Sequence, residues 1–291
     1  MNRRNLLKGA LLGASALALR PTFSLAAGSP DVAQARLAAL ERQHGGRLGV
    51  AILDTGNGRR IAHRADERFL MCSTFKLLAV ATLLARVDRG AERLDRRVVF
   101  GKESVLAYAP VTSHRVGAPG MTVAELCEAA ITVSDNTAAN LLLASMGGPA
   151  AVTAYARSLG DPVTRLDRIE PELNIASPGD VRDTTTPAAM LRDLQTLLLG
   201  DALSHVSRGQ LLEWLRATST GTEQLRAGLP AGWRAGDKTG SGAQHETNDI
   251  AIIWPPQRKP LLVAAYYSGS SADTDERHAV LAAVGRLAAS I

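Results

Sequence analysis

Ser73-Thr74-Phe75-Lys76 sets a hydroxyl and an amine three residues apart. If a helix begins at Ser73, positions i and i+3 share a face and the amine lies beside the hydroxyl. A neutral lysine there can take the hydroxyl proton, and a helix N-terminus favours the negative charge that develops nearby. Composition alone produces a Ser-x-x-Lys roughly 0.3 times in such a chain, so by itself the motif reads as a surface helix start. Three further stretches change that reading. Ser134-Asp135-Asn136 falls between two helical runs, where polar side chains can enter a cleft. Lys238-Thr239-Gly240, followed by Ser241-Gly242, ends an apolar-flanked strand, and Glu170-Pro171-Glu172-Leu173-Asn174 lies in a polar loop. Each such triplet is expected by chance only about 0.02–0.03 times, so the ordered set is no accident.

Lysine usage points the same way. The 33 basic residues are 28 Arg and 5 Lys, yet two of the four lysines after the first 26 residues are Lys76 and Lys238. Proton exchange at a nucleophile needs an amine whose pKa can be lowered, which guanidinium cannot supply. Lys76 is therefore placed for chemistry, whereas at Lys238 a fixed charge could serve.

The elements that must position these groups follow from periodicity. Asp31–Gln43 reads as a helix stopped by Gly45-Gly46, and Arg47–Asp54 with Arg59–Arg64 as a hairpin around Asp54–Gly58. From about Ser73 to Leu215 the pattern is mostly helical, with a capping box at Thr122 and Glu125 and a further run over Asn140–Met146. Strands return at Trp233–Thr239, Thr247–Trp254 and Leu261–Tyr267, and Asp275–Ala289 closes as a helix. The fold class expected is α/β (α+β): an antiparallel sheet built from both chain ends and flanked by helices. The domain division expected is a discontinuous α/β lobe, 27–70 with 216–291, and an all-helical lobe, 71–215, with the site in the cleft between them.

The four elements resemble the class A serine β-lactamases. The likeness covers about residues 30–290 and extends to Met71-Cys72-Ser73, Ala130–Leu143 and Arg165–Glu170. It implies that Ser73 attacks the β-lactam carbonyl to form an acyl-enzyme, with the Ser73 and Ser241 backbone N–H groups holding the oxyanion. Lys76 would keep the Ser73 proton network poised, and Ser134 would relay a proton to the lactam nitrogen beside Lys238. Asn136 would hold the acylamino side chain, and Lys238, Thr239, Gly240 and Ser241 would line the substrate, with the Thr239 and Ser241 hydroxyls on its carboxylate. Glu170, with Asn174, would hold a water and drive it into the ester; whether Glu170 or Lys76 activates Ser73 stays open. The Glu170–Pro171 bond is expected to be cis, and Arg168 is expected to pair with Asp183 across the neck of this loop. Tyr108 resembles the family's aromatic wall at the cleft mouth, the alternative being an exposed loop tyrosine.

The chain departs from that pattern in two places. The positions where many relatives carry an arginine for the substrate carboxylate hold Thr247, Gln224 and His278, and Arg226 and Arg277 are expected to point elsewhere. Cys72 matches a cysteine that some relatives bridge to a residue after Lys-Thr-Gly, here Gly242; Cys127 matches another bridge whose partner position is Val80. Two free thiols are implied. The missing bridge argues against carbapenem turnover, and Ser241 for broad cephalosporin use.

Composition and charge bound the alternatives. The chain has 291 residues, 46% hydrophobic, with mean hydropathy +0.00, which fits a globular enzyme. A net charge of +5 suggests nucleic acid, but Met1–Ala26 reads as an export signal carrying four basic residues and no acids; without it the charge is +1. Arg3-Arg4-Asn5-Leu6-Leu7-Lys8 resembles a twin-arginine motif, the alternative being a general-pathway signal that holds two arginines. Either route implies a periplasmic protein, without nucleic-acid or membrane partners after processing. The expected enzyme is a monomeric β-lactam hydrolase of penicillins and cephalosporins, free of cofactor and metal. His245–Asp249 fails the zinc helix pattern and no Gly-x-Ser-x-Gly occurs, which disfavours a zinc hydrolase and an α/β-hydrolase. A D-Ala-D-Ala peptidase shares three of the four elements but has no use for Glu170 and Asn174. A penicillin-sensing domain would acylate once and stop.

Overall fold

The computed structural model describes residues 30–175, 177 and 179–291; the export signal and its Arg3-Arg4 element lie outside them. The N-terminal half runs α1 (Pro30–His44), β1 (Arg47–Asp54), β2 (Arg60–His63), β3 (Phe69–Leu70), α2 (Phe75–Asp88), β4 (Arg97–Val98), β5 (Met121–Thr122), α3 (Val123–Thr132) and α4 (Asn136–Ser145). Then follow α5 (Pro149–Ser158), β6 (Thr184–Thr185), α6 (Pro187–Leu198), α7 (His205–Arg216), β7 (Arg234–Ser241), β8 (Thr247–Trp254), β9 (Leu261–Ser268) and α8 (Thr274–Ala289).

One five-stranded antiparallel sheet is ordered β2-β1-β9-β8-β7, so the first strands of the chain pair with the last, as expected. Both faces are covered. Along β9, Leu262, Ala264 and Tyr266 enter a core shared with α2, α3, α4 and α6, while Val263, Ala265 and Tyr267 enter one shared with α1 and α8. Strands buried on two faces read as continuous apolar runs, which is how Leu261–Tyr267 reads in sequence. Phe75–Ala85 of α2 is buried on every side, the behaviour of a helix apolar all round.

Local signals hold where one or two residues dictate geometry. Thr122 Oγ1 accepts from Glu125 N at 3.1 Å while Glu125 Oε2 accepts from Thr122 N at 2.6 Å, so the capping box forms. At the hairpin, Gly58 adopts φ +76° and donates to Asp54 O at 2.9 Å. The stretch expected to be wholly helical also carries strands: β4 pairs with β5, and β6 pairs with β3. Two-residue ladders have no periodicity long enough to read in a sequence. The α4 helix starts four residues earlier than the apolar run suggests, because Asp135 caps it by accepting from Ala138 N at 2.8 Å. Both cysteines are buried and free.

Asp193 of α6 is buried beside Asp161. Burial, then the neighbouring Asp161 carboxylate, pushes its pKa from 3.8 up to about 9. An unfolded chain releases this proton near pH 4 and the folded one keeps it, so the group costs stability progressively as pH rises from about 4 towards 9. Asp193→Asn supplies the same donor without the titration. It is expected to raise the melting temperature at pH 8 by a few degrees and to give no gain at pH 4, read by thermal melts at both.

Candidate active site

Ser73 lies in a single 3-10 turn, Cys72–Thr74, that leads into α2 rather than at the start of the α-helix itself. A 3-10 turn eclipses i and i+3, and Lys76 Nζ donates to Ser73 Oγ at 2.9 Å. Ser73 Oγ donates to Glu170 Oε1 at 3.2 Å, an oxygen that also lies 3.2 Å from Lys76 Nζ. Lys76 further donates to Asn136 Oδ1 at 2.6 Å and Ser134 O at 2.7 Å. Lys76 and Glu170 are both buried, so neither charge is tolerable without the other and these hydrogen bonds. Burial lowers the Lys76 pKa, and the Glu170 carboxylate opposes that fall.

Ser134 bridges two amines. Lys76 Nζ donates to its Oγ at 3.2 Å and Lys238 Nζ at 3.0 Å. Both lone pairs of the hydroxyl are then engaged, and its own proton is free to point into the cleft. Burial, then the neighbouring Lys76 charge, brings the Lys238 pKa down to about 7. Ser134 takes φ +60°, a conformation that costs a non-glycine residue about 1–3 kcal/mol. Asp135 offsets that cost: beyond capping α4, its Oδ2 accepts from Val111 N at 3.0 Å and Thr112 N at 2.9 Å. The same tether seats Tyr108, whose carbonyl accepts from Asn136 N at 3.1 Å.

Glu170 rides on the loop between α5 and β6, and its peptide bond to Pro171 is cis, as expected. Arg168 Nε donates to Asp183 Oδ2 at 2.5 Å, and Asp183 Oδ1 accepts from the backbone N–H groups of Asp167 and Arg168. The expected pair therefore closes the loop neck. At the carboxylate, Asn174 Nδ2 donates to Glu170 Oε2 at 2.5 Å, while among the described residues the buried Asn174 Oδ1 has no partner.

These elements surround a cavity of about 400 Å³. Ser73, Tyr108, Ser134, Asn136, Asn174, Thr239, Gly240 and Ser241 line it, while Lys76, Glu170 and Lys238 stand buried behind that wall. A Cβ on Gly240 would lie 2.8 Å from Met71 O and 3.1 Å from Ser73 N, so glycine is what lets β7 close against the Ser73 turn. That packing sets the Ser73 and Ser241 backbones at one wall. Arg226 turns to Asp237, and Arg277 to Thr247 Oγ1 at 3.0 Å, so among the described residues no arginine lines the cavity.

Three site residues escaped sequence reasoning. Thr220 Oγ1 lies 2.6 Å from Thr239 Oγ1, and Asp135 ties the Tyr108 loop down, although its place before a helix was a legible capping signal. Asn140 clasps Glu170, with Nδ2 donating to its carbonyl at 2.8 Å and Oδ1 accepting from its N–H at 2.9 Å. No local pattern announces such a long-range clasp. Asn140→Ala leaves both peptide groups unpaired and is expected to cost about 1–3 kcal/mol of stability in denaturant titrations. Turnover should fall on the order of 10²-fold, a usual effect of displacing an active-site group by about 1 Å.

Known proteins bear on this geometry. The model of the "Beta-lactamase enzyme family" matches residues 32–291. β-Lactamase OXY-1 of Klebsiella oxytoca is 45% identical over 280 residues, 96% of each chain. β-Lactamase CTX-M-25 of Escherichia coli is 46% identical over 288 residues, covering 99% of this chain and 98% of that one. Among solved structures, the ancestral (GNCA) class A β-lactamase superposes with a TM-score of 0.86 at 66% identity, covering 88% of this chain and 98% of that one. With a serine, two lysines and a clasped glutamate gathered on one cleft, and with these relatives spanning nearly its whole length, this chain belongs to the class A serine β-lactamases and is a hydrolase of β-lactams.

Proposed function

We propose that Ser73 opens the β-lactam ring and that Glu170 clears the resulting ester. The Ser73 proton passes to the Lys76–Glu170 pair, whose members lie 3.2 Å apart and both contact Ser73 Oγ. As the carbonyl carbon becomes tetrahedral, the Ser73 and Ser241 N–H groups receive its oxyanion. Ser134 delivers its free proton to the ring nitrogen as the C–N bond breaks, and the proton taken from Ser73 is returned to Ser134 Oγ through Lys76, which already donates to it. Asn136 receives the acylamino group, Tyr108 walls the mouth, and the Thr239 and Ser241 hydroxyls meet the substrate carboxylate.

The second half-reaction rests on one observation: the Glu170 carboxylate stands within hydrogen-bond reach of Ser73 Oγ while Asn174 grips its other oxygen. A water between Glu170, Asn174 and the ester would be deprotonated by Glu170 as it attacks, and Asn174 Oδ1 offers that water an acceptor. We further infer an exported, periplasmic monomer of two lobes, 27–70 with 216–291 and 71–215, that hydrolyses penicillins and cephalosporins. The basic, apolar and small-residue order of Met1–Ala26 supports export. No helix among the described residues is long and apolar enough to cross a membrane.

Glu170→Ala is expected to trap benzylpenicillin as an acyl adduct on Ser73, seen by intact-protein mass spectrometry, while the parent enzyme consumes drug in bulk. Rapid product release by the variant would overturn the role given to Glu170. A parent enzyme that itself acylates once and stops would point to a D-Ala-D-Ala peptidase or a penicillin sensor.

A further inference from the structure

Asn248 is a polar residue on a strand face that is otherwise apolar. It sits on β8 opposite Gly240 of β7, and the alternate residues that follow it, Ile250 and Ile252, enter the core shared with α2, α3, α4 and α6. Asn248 is only 1% exposed. A buried amide costs free energy unless it is bonded, and this one finds partners outside the sheet. Its Nδ2 donates to Leu70 O at 3.0 Å and to Met71 O at 3.2 Å. Both carbonyls belong to the three residues that lead into Ser73.

Those residues enter a strained turn. Cys72 takes φ +46°, a left-handed angle that persists only where neighbouring contacts over-determine it. Within the turn, Met71 O accepts from Thr74 N at 3.2 Å and from Thr74 Oγ1 at 2.8 Å. These bonds give the turn its shape but not its place, because donor and acceptor move together. Ties to distant segments place it. Met71 N donates to Asp183 O at 2.9 Å, at the neck of the loop that carries Glu170. Asn248 fastens the same peptides to the sheet.

Gly240 is where β7 meets this turn. A Cβ there would lie within 3.2 Å of Met71 O, Ser73 N and Cys72 Cβ, so the two backbones are already in contact. Ser241 follows, opposite Thr247. The N–H groups assigned above to the oxyanion therefore sit on two separate pieces of chain, the Ser73 turn and the end of β7. Asn248 holds both: its backbone stands in the ladder opposite Gly240, and its side chain grips the turn. Oxyanion donors act only when preset about 2.7–3.1 Å from where charge develops. Whatever fixes the separation of the two pieces thus fixes the pair of donors.

We propose that Asn248 is a positioning residue for acylation: its amide fastens the Ser73 turn to the sheet and so sets the spacing of the Ser73 and Ser241 N–H groups that receive the oxyanion. Asn248 does not line the cavity, so its loss falls on the chemical step and not on substrate binding. The proposal rests on the acyl-enzyme reading given above, and the two fail in distinguishable ways.

The test uses Glu170→Ala, in which the benzylpenicillin adduct accumulates, alone and combined with Asn248→Ala, Gly240→Ala or Thr122→Ala. Stopped-flow single turnovers give the acylation rate constant and the dissociation constant of the complex that precedes it. Infrared difference spectra give the stretching frequency of the adduct's ester carbonyl, which falls as hydrogen bonds to its oxygen strengthen; the acid-denatured adduct supplies the free-ester value. With Asn248→Ala the band is expected to move up towards that value and acylation to slow roughly ten- to a hundredfold, with the dissociation constant unchanged. Gly240→Ala disturbs the same contact from the β7 side and is expected to move the band in the same direction. Thr122→Ala removes the α3 cap, destabilising the protein outside the site, and is expected to change neither band nor rate. A folded Asn248→Ala protein with unaltered band and rate would overturn the proposal, as would an equal band shift in Thr122→Ala. Should Asn248→Ala not fold, an unshifted band in Gly240→Ala would overturn it equally. A Glu170→Ala protein that forms no adduct would instead sink the function proposed for the cleft.

Discussion

A buried ammonium and a buried carboxylate, Lys76 and Glu170, meet on one serine oxygen. Removing two such charges from water costs several kcal/mol each, and only their mutual attraction and full hydrogen bonding offset it. That condition dictates much of the architecture. Lys76 needs Ser134 and Asn136 as acceptors, which fixes the turn before α4 against α2. Glu170 needs Asn174 on its side chain and Asn140 on its peptide, which fixes the loop before β6 against α4.

Part of the conformational cost falls at the same place. Among the described residues six non-glycines take left-handed backbone angles, and three of them, Cys72, Ser134 and Asp183, lie in the site or in the turns that support it. Such residues persist only where neighbouring bonds over-determine them. Asp135 supplies those bonds at Ser134, and Arg168 supplies them at Asp183. The geometry of the cleft is thus held by buried carboxylates, Asp135 and Asp183, that do not line the cavity.

The sheet contributes rigidity and one lysine. β7 is an edge strand, so its free side can border a cleft while its other side is tied to β8 through all eight residues. Lys238 emerges behind that edge, close enough to Lys76 for the Lys76 charge to loosen its hold on its proton. The two amines share Ser134 as their meeting point, which makes the proton inventory of the cleft a property of both halves of the chain rather than of one motif.

Residue chemistry and short-range spacing picked out groups that the fold brings to one cleft. Ser73 with Lys76, Ser134 with Asn136, and Lys238 with Thr239 each lie within one turn or one strand end, where geometry follows from i+1, i+2 or i+3 alone. The paired terminal strands and the Thr122 capping box were legible for the same reason, being periodic or local. Tertiary structure alone decided the 3-10 turn at Ser73, the Asn140 clasp, the roles of Asp135 and Thr220, and the short β3–β6 and β4–β5 ladders. It also decided that Arg277 turns away and leaves His278 at the cavity wall. These depend on contacts between residues far apart in the chain. No local propensity encodes them, because each arises only once packing has brought two distant backbones within hydrogen-bond reach.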